Sequence, residues 1–169
     1  MWFFVILFII LVLSIPFWSS KRKESSFLEE KLPFLKRKYF FSEAEKKFYL
    51  VLKQIADKNN WAIFPKVRLR DIFNPDAKYR SKESFSLNAK IVQKHVDFLL
   101  CDNNYFSPVA AIELDDSSHR LGKRQERDEF VDKVFASVKL PLVRIKVSFN
   151  YDINSIESRI KEEVEKNKN

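Results

Sequence analysis

The chain is poor in the residues that make cross-links and turns. Its 169 residues include one cysteine, Cys101, one glycine and six prolines. A single cysteine excludes an intramolecular disulfide, and no Cys/His spacing resembles a zinc site; both fit a reducing compartment. So little glycine and proline argues against a loop-rich or disordered chain. Histidine is scarce too: His95 and His119 are the only two.

Against these absences stand apolar residues at 46% of the chain, with 17 phenylalanines among them. That is enough for a real core, and the length suits one domain with an appended segment. The net charge of +8 is unevenly spread. Residues 19–40 carry Lys21, Arg22, Lys23, Lys31, Lys36, Arg37 and Lys38 against Glu24, Glu29 and Glu30, a net of +4. Half of the basic excess therefore lies beside the first apolar run. The rest of the chain is only mildly basic, so the charge alone does not make it a nucleic-acid binder.

That run, "MWFFVILFIILVLSIPFW" (residues 1–18), has no charged side chain. As a helix it would be about 27 Å long, near the thickness of a hydrocarbon core. No Lys or Arg precedes it and no small-residue cleavage site is clear, which speaks against a cleaved signal peptide. Trp2 and Trp18 stand at its margins, where indole rings favour the interface. "KRK" at Lys21–Lys23 follows and, by the positive-inside tendency, stays on the cytoplasmic side, where it can rest on anionic lipid. The expectation is a single-span anchor over 1–18, a basic juxtamembrane linker over 19–40 and a domain over 41–169, at the inner (cytoplasmic) membrane with the domain facing the cytoplasm. An unusual signal sequence is the alternative, and it would place the domain outside.

From Ser42 the pattern becomes helical. Ala44, Phe48, Val51, Leu52 and Ile55 recur at helix spacing, and Ser42 with Glu45 makes a capping box. "WAIFPKVRL" (61–69) reads as strand, with Pro65 at an edge or bulge. Residues 71–88 are polar and mixed, and read as a loop or insertion. "IVQKHVDFLLCD" and "PVAAIELDD" read as two buried strands joined by the turn "NNYFS", so they pair as a hairpin. Phe130, Val131, Val134, Phe135 and Val138 share one face of a further helix. "LPLVRIKVSF" is a strand, and 153–165 a polar-faced helix prone to fraying. This order predicts an α/β domain, a mixed central sheet with helices on both faces.

Within the hairpin, Asp97, Glu113 and Asp115 interrupt apolar strands, where an unpartnered charge is costly to bury. Alternation puts Glu113 and Asp115 on one side, and pairing of the strands brings Asp97 toward them. Three converging carboxylates repel one another, and a hard divalent cation, Mg²⁺ or Mn²⁺, resolves the conflict. His119 follows just past the strand, with a pKa suited to proton transfer near neutrality. A carboxylate-bound metal beside an imidazole is the chemistry of phosphodiester hydrolysis. Arg124, Gln125, Arg127 and Asp128 open the next helix, and Lys94 and His95 precede Asp97; all can orient the site or contact phosphate. Plainer roles stand beside these. Asp116 caps the turn with Ser117 and Ser118, Asp128 pairs with a nearby Arg, and His119 makes a structural hydrogen bond.

"SEAEKKFY", "FPKVRL", "KHVDFLLCD", "AIELDDSSH", "RQERDEFVD" and "LPLVRIKV", in this order, resemble a bacterial family of largely uncharacterised domains with a restriction-endonuclease-like core. That family looks related to the very-short-patch repair endonucleases and, more broadly, to the PD-(D/E)XK nucleases. The resemblance covers about residues 40–150, and "IELDDSSH" with "RQERD" is its most specific part. It implies a mixed sheet flanked by helices and a divalent metal between an Asp and a Glu. Asp97 matches the motif Asp, Glu113 the motif Glu, and Glu45 the acidic residue of the first helix. The chain departs from the pattern where the usual Lys, two residues after the Glu, is Asp115. In the repair-endonuclease-like branch a later His takes part instead, which here is His119. The resemblance thus implies a metal-dependent nuclease acting on DNA. The alternative is a nuclease-like module that binds nucleic acid or a protein partner without cutting. A plainer alternative puts the acidic cluster in salt bridges with nearby Lys and Arg.

Overall fold

The structure, a computed structural model, describes residues 32–74, 82–115 and 122–168, without the side chains of 82–85 and 122–128. Residues 1–38 and 39–169 are separate units. The predicted anchor over 1–18 lies outside the described residues. Among the described residues no helix is long and apolar enough to cross a membrane. Residues 32–37, in the basic linker, form neither helix nor strand.

The second unit begins its regular structure with helix α1 (Glu43–Asn59). Its capping box forms as predicted. The Ser42 hydroxyl accepts the Glu45 N–H at 3.2 Å, and Glu45 Oε2 accepts the Ser42 N–H at 2.7 Å. Asn60 ends the helix in the left-handed region, its N–H bonded to the Ala56 carbonyl. Strand β1 (Trp61–Arg68) follows, then a short helix α2 (Leu69–Ile72) and helix α3 (Lys82–Ile91). These two helices correct the reading of 71–88 as a loop or insertion at 71–72 and 82–88, while 75–81 lie outside the described residues. The segment is polar because α3 is largely exposed over 86–90 and buries only Ile91 of its described side chains.

Strands β2 (His95–Asp102) and β3 (Pro108–Asp115) form the expected antiparallel hairpin. Asp102 builds its turn: Oδ1 accepts the N–H groups of Asn104 and Tyr105, and Oδ2 that of Ser107. Helix α4 (Gly122–Ser137), strand β4 (Leu142–Lys146) and helix α5 (Ile153–Lys168) complete the unit. Among the described residues the strands form one mixed sheet in the order β1-β2-β3-β4. β4 runs parallel to β3, a crossover made through α4. The chain is therefore a mixed α/β protein.

Helices cover both faces. On one, α1 and α5 bury Phe48, Leu52, Ile55, Ile156 and Ile160 against Phe98, Leu100, Ile112 and Val143. On the other, α4 buries Val131 and Phe135, with Leu69, Phe73 and Ile91, against Val96, Leu99 and Ala111. Each fully buried large side chain contributes about 1.5–3 kcal/mol. Val138, expected on the apolar face of α4, instead lies in the turn beyond it and is exposed. The last helix, polar in composition, buries Ile156 and Ile160 and an acid, Glu157, along one face.

One irregularity shapes the sheet. Residues two apart on a strand share a face. Yet Phe98 belongs to the α1 core and Val96 to the α4 core, and on β1 Ile63 packs toward the first core and Val67 toward the second. Both strands roll over at one level. Pro65 pairs with Phe98 and Val67 with Val96, while Lys66 and Asp97 between them drop out of the ladder. Lys66 has φ 53°, a left-handed backbone that costs a residue with a Cβ about 1–2 kcal/mol.

Candidate active site

Asp97 sits at that roll. The β2–β3 ladder registers Phe98 against Ile112 and stops there. Beyond it, Asp97 Oδ2 accepts the Leu114 N–H at 2.8 Å, so the side chain takes the place of a ladder bond. This lays the Asp97 carboxyl on β3 one residue past Glu113. Burial raises its pKa above the usual carboxylate range. The Leu114 bond opposes that shift, Glu45 reinforces it, and His95 and Lys66 oppose it weakly.

Glu45 comes from the first turn of α1. One of its oxygens completes the capping box and the other accepts from Lys66 Nζ at 2.5 Å. Burial would raise its pKa, but the hydrogen bonds from Lys66 and Ser42 hold it below the ordinary value. Lys66 is 27% exposed at its side chain and also lies 5.7 Å from the Phe40 ring.

Glu113 and Asp115 face the α4 side of the sheet. Glu113 registers with Arg144 on the parallel strand β4, and the two side chains approach to 3.4 Å. Arg144 also reaches Asp132 on α4 at 2.7 Å. Burial acts against the Arg144 charge, but Asp132, Glu113 and Asp115 together raise its pKa. One guanidinium thus serves acids from β3 and α4.

The predicted residues therefore fall into two charge groups that adjoin at Leu114. Glu45, Lys66 and Asp97 make one; Glu113, Asp115, Arg144 and Asp132 make the other. Lys94 directs its ammonium over the Phe130 ring of α4 at 5.3 Å, and His95 is exposed at the start of β2. His119 and Asp116 lie outside the described residues. Arg124, Gln125, Arg127 and Asp128 lie in the first turns of α4, and their side chains are outside the description. Lys66, Arg144 and Asp132 are the residues that sequence reasoning missed. Arg144 had a signal, since it interrupts the apolar strand "LVRIK" as Asp97 interrupts β2. Lys66 had none, because hydropathy does not report the sign of φ.

The donors are all oxygen, the set a hard divalent cation prefers. Asp97, held partly buried beside Glu45, would gain most from such a charge. Glu45 and Glu113 already have cationic partners. Among the described residues no group of three or more acidic, histidine or cysteine side chains is gathered into a metal shell.

A family model described as a protein of unknown function, DUF2726, matches residues 37–164, the whole sheet and nearly all of its helices. No curated protein and no solved structure matches the chain.

Proposed function

The chain belongs to the DUF2726 family, and we propose that it is a membrane-anchored nuclease with a PD-(D/E)XK, restriction-endonuclease-like core related to the very-short-patch repair endonucleases. It hydrolyses phosphodiester bonds in DNA with Mg²⁺ or Mn²⁺. The observation that carries this reading is Asp97: a half-buried carboxylate bonded to the β3 backbone next to Glu113, with its pKa raised. Such perturbed acids cluster at functional sites. Asp97, Glu113 and Asp115 would hold the ion. When bound, it supplies positive charge against the developing oxyanion and a water of lowered pKa.

The chain's own groups do the rest. His119 takes the proton from the attacking water or returns one to the leaving oxygen. Glu45 orients water from the α1 side. Arg124, Gln125, Arg127 and Lys94 steady the phosphodiester backbone. The run over 1–18 tethers the domain to the inner (cytoplasmic) membrane, on the cytoplasmic side. The full chain in detergent is expected to nick plasmid DNA with Mn²⁺, and Glu113→Gln to reduce the rate at least about a hundredfold. Equal nicking by wild type and variant would overturn the reading.

A second reading is favoured by Arg144, whose guanidinium already satisfies Glu113 and Asp132. In it the domain is a non-catalytic module that binds nucleic acid or a protein partner at the membrane. It predicts DNA binding without metal, no cleavage, and no heat of Mn²⁺ binding that is lost in Asp97→Asn.

A further inference from the structure

The described residues include four non-glycine positions with positive φ. Three lie where the chain must turn: Asn60 ends α1, Phe106 lies in the β2–β3 turn, and Lys139 lies in the turn after α4. Lys66 is the exception, because it stands inside a strand. The chain does not reverse here, although both strands roll at this level. What the conformation does achieve is local: the Lys66–Asp97 level leaves the β1–β2 ladder, and the ammonium reaches Glu45.

A tie between α1 and β1 does not need this. A lysine at a regular position on β1 could pair with an acid on α1 without a left-handed residue. Strain that persists inside an element, with no turn to make, is a mark of a functional position. The side chain is confined between Glu45 and the Phe40 ring, near enough to Asp97 to lower its pKa, and still reaches solvent. An ammonium has three donors, and Glu45 takes one. The remaining donors suit an anionic oxygen arriving at the seam where Asp97 meets β3.

We propose that Lys66 is a phosphate-binding residue of the site, contacting a backbone phosphate of bound DNA. The assignment rests on the nuclease reading above. Glu45 then holds the ammonium in place until the phosphate arrives, a task added to its part in the capping box and in orienting water. The contact is to a phosphate oxygen, so it carries affinity but no base preference.

The test uses the full chain in detergent and a fluorescein-labelled DNA duplex, with EDTA present so that binding is read without metal. Lys66→Asn removes the charge and places at this position a residue that accepts left-handed backbone more readily. Lys66→Arg keeps the charge. Lys66→Asn is expected to weaken binding about three- to tenfold at low salt and to lower the slope of log K against log salt by about one. Its thermal midpoint stays at or above that of wild type, and Lys66→Arg restores most of the affinity. Wild-type affinity in Lys66→Asn would overturn the assignment. So would a loss of binding that follows a lowered thermal midpoint and is not rescued by arginine, because that is the behaviour of a structural tie. If wild type cuts DNA and Lys66→Asn binds and cuts equally well, the Lys66 assignment alone fails. If wild type neither binds the duplex nor cuts plasmid, the nuclease reading and the assignment fail together.

Discussion

A carboxylate held partly out of water, beside another acid, has its charged form disfavoured relative to the same group in water. Asp97 is in that position, since burial and Glu45 both raise its pKa. At neutral pH its charge therefore costs folding stability. Asp97→Asn removes the charge and keeps an oxygen that can accept the Leu114 N–H. The variant is expected to unfold a few degrees higher at pH 7, a gain of at most ~1 kcal/mol because solvent screens a half-exposed group. It should also lose nicking activity. A lower midpoint with activity retained would remove Asp97 from the site and leave it a strand cap. Asp97 and Glu113 were legible in the sequence for the same reason: each breaks an apolar run, and burial makes such a break conspicuous. Their partners were not equally legible. Nothing in "FPKVRL" says that Lys66 leaves the ladder, and pairing Arg144 with Glu113 needs the register of two strands nearly thirty residues apart.

Between elements, Glu157 joins α1 to α5. It is buried, and accepts from Lys58 at 2.7 Å and Asn59 at 3.1 Å on the last turn of α1, and pairs with Lys161 at 2.8 Å one turn along α5. The hydrogen bonds from Lys161, Lys58 and Asn59 lower its pKa from 4.5 to about 2. A carboxyl with a lowered folded pKa stabilises the fold above its unfolded pKa and loses that contribution as pH falls through the folded one. Glu157→Gln should therefore lower the thermal midpoint at pH 7, and the gap to wild type should close between about pH 4.5 and about pH 2. Circular dichroism melts across that range read it directly, and a gap unchanged at the acid end would contradict the clamp. The strongest elements were readable. α1 announced itself by its capping box and apolar spacing, and the hairpin by two buried runs around a short turn. α3 did not, because a helix whose described side chains are mostly exposed looks like a loop to any hydropathy pattern. α5 was readable as a helix but not as a tight one, since Glu157 looks like one more surface acid until Lys58 and Asn59 are placed beside it.

At the scale of the whole molecule, the alternation of strand and helix along the chain was enough to predict a mixed sheet covered on both faces. Apolar residues on α1 and α5 demand one face, and those on α4 the other. The sheet order and the parallel placement of β4 were not in the pattern, because nothing local distinguishes a parallel partner. Charge is organised on the same scale. Half of the basic excess lies in 19–40, directly after the apolar run and ahead of the folded unit. That placement makes sense if the run is seated in a bilayer and the linker lies along anionic headgroups, each Lys or Arg near the surface adding about 1 kcal/mol of attraction. Removal of residues 2–18 should then release the protein from membranes, while the full chain resists an alkaline carbonate wash. Replacing Lys21, Arg22 and Lys23 by glutamine should leave the full chain membrane-bound, because an apolar run seated in the bilayer would supply most of the affinity, but should weaken the fixed orientation. Protease added outside spheroplasts is the measurement. The folded unit of wild type is expected to survive intact, and its digestion would put the domain on the far side of the membrane, away from cytoplasmic DNA.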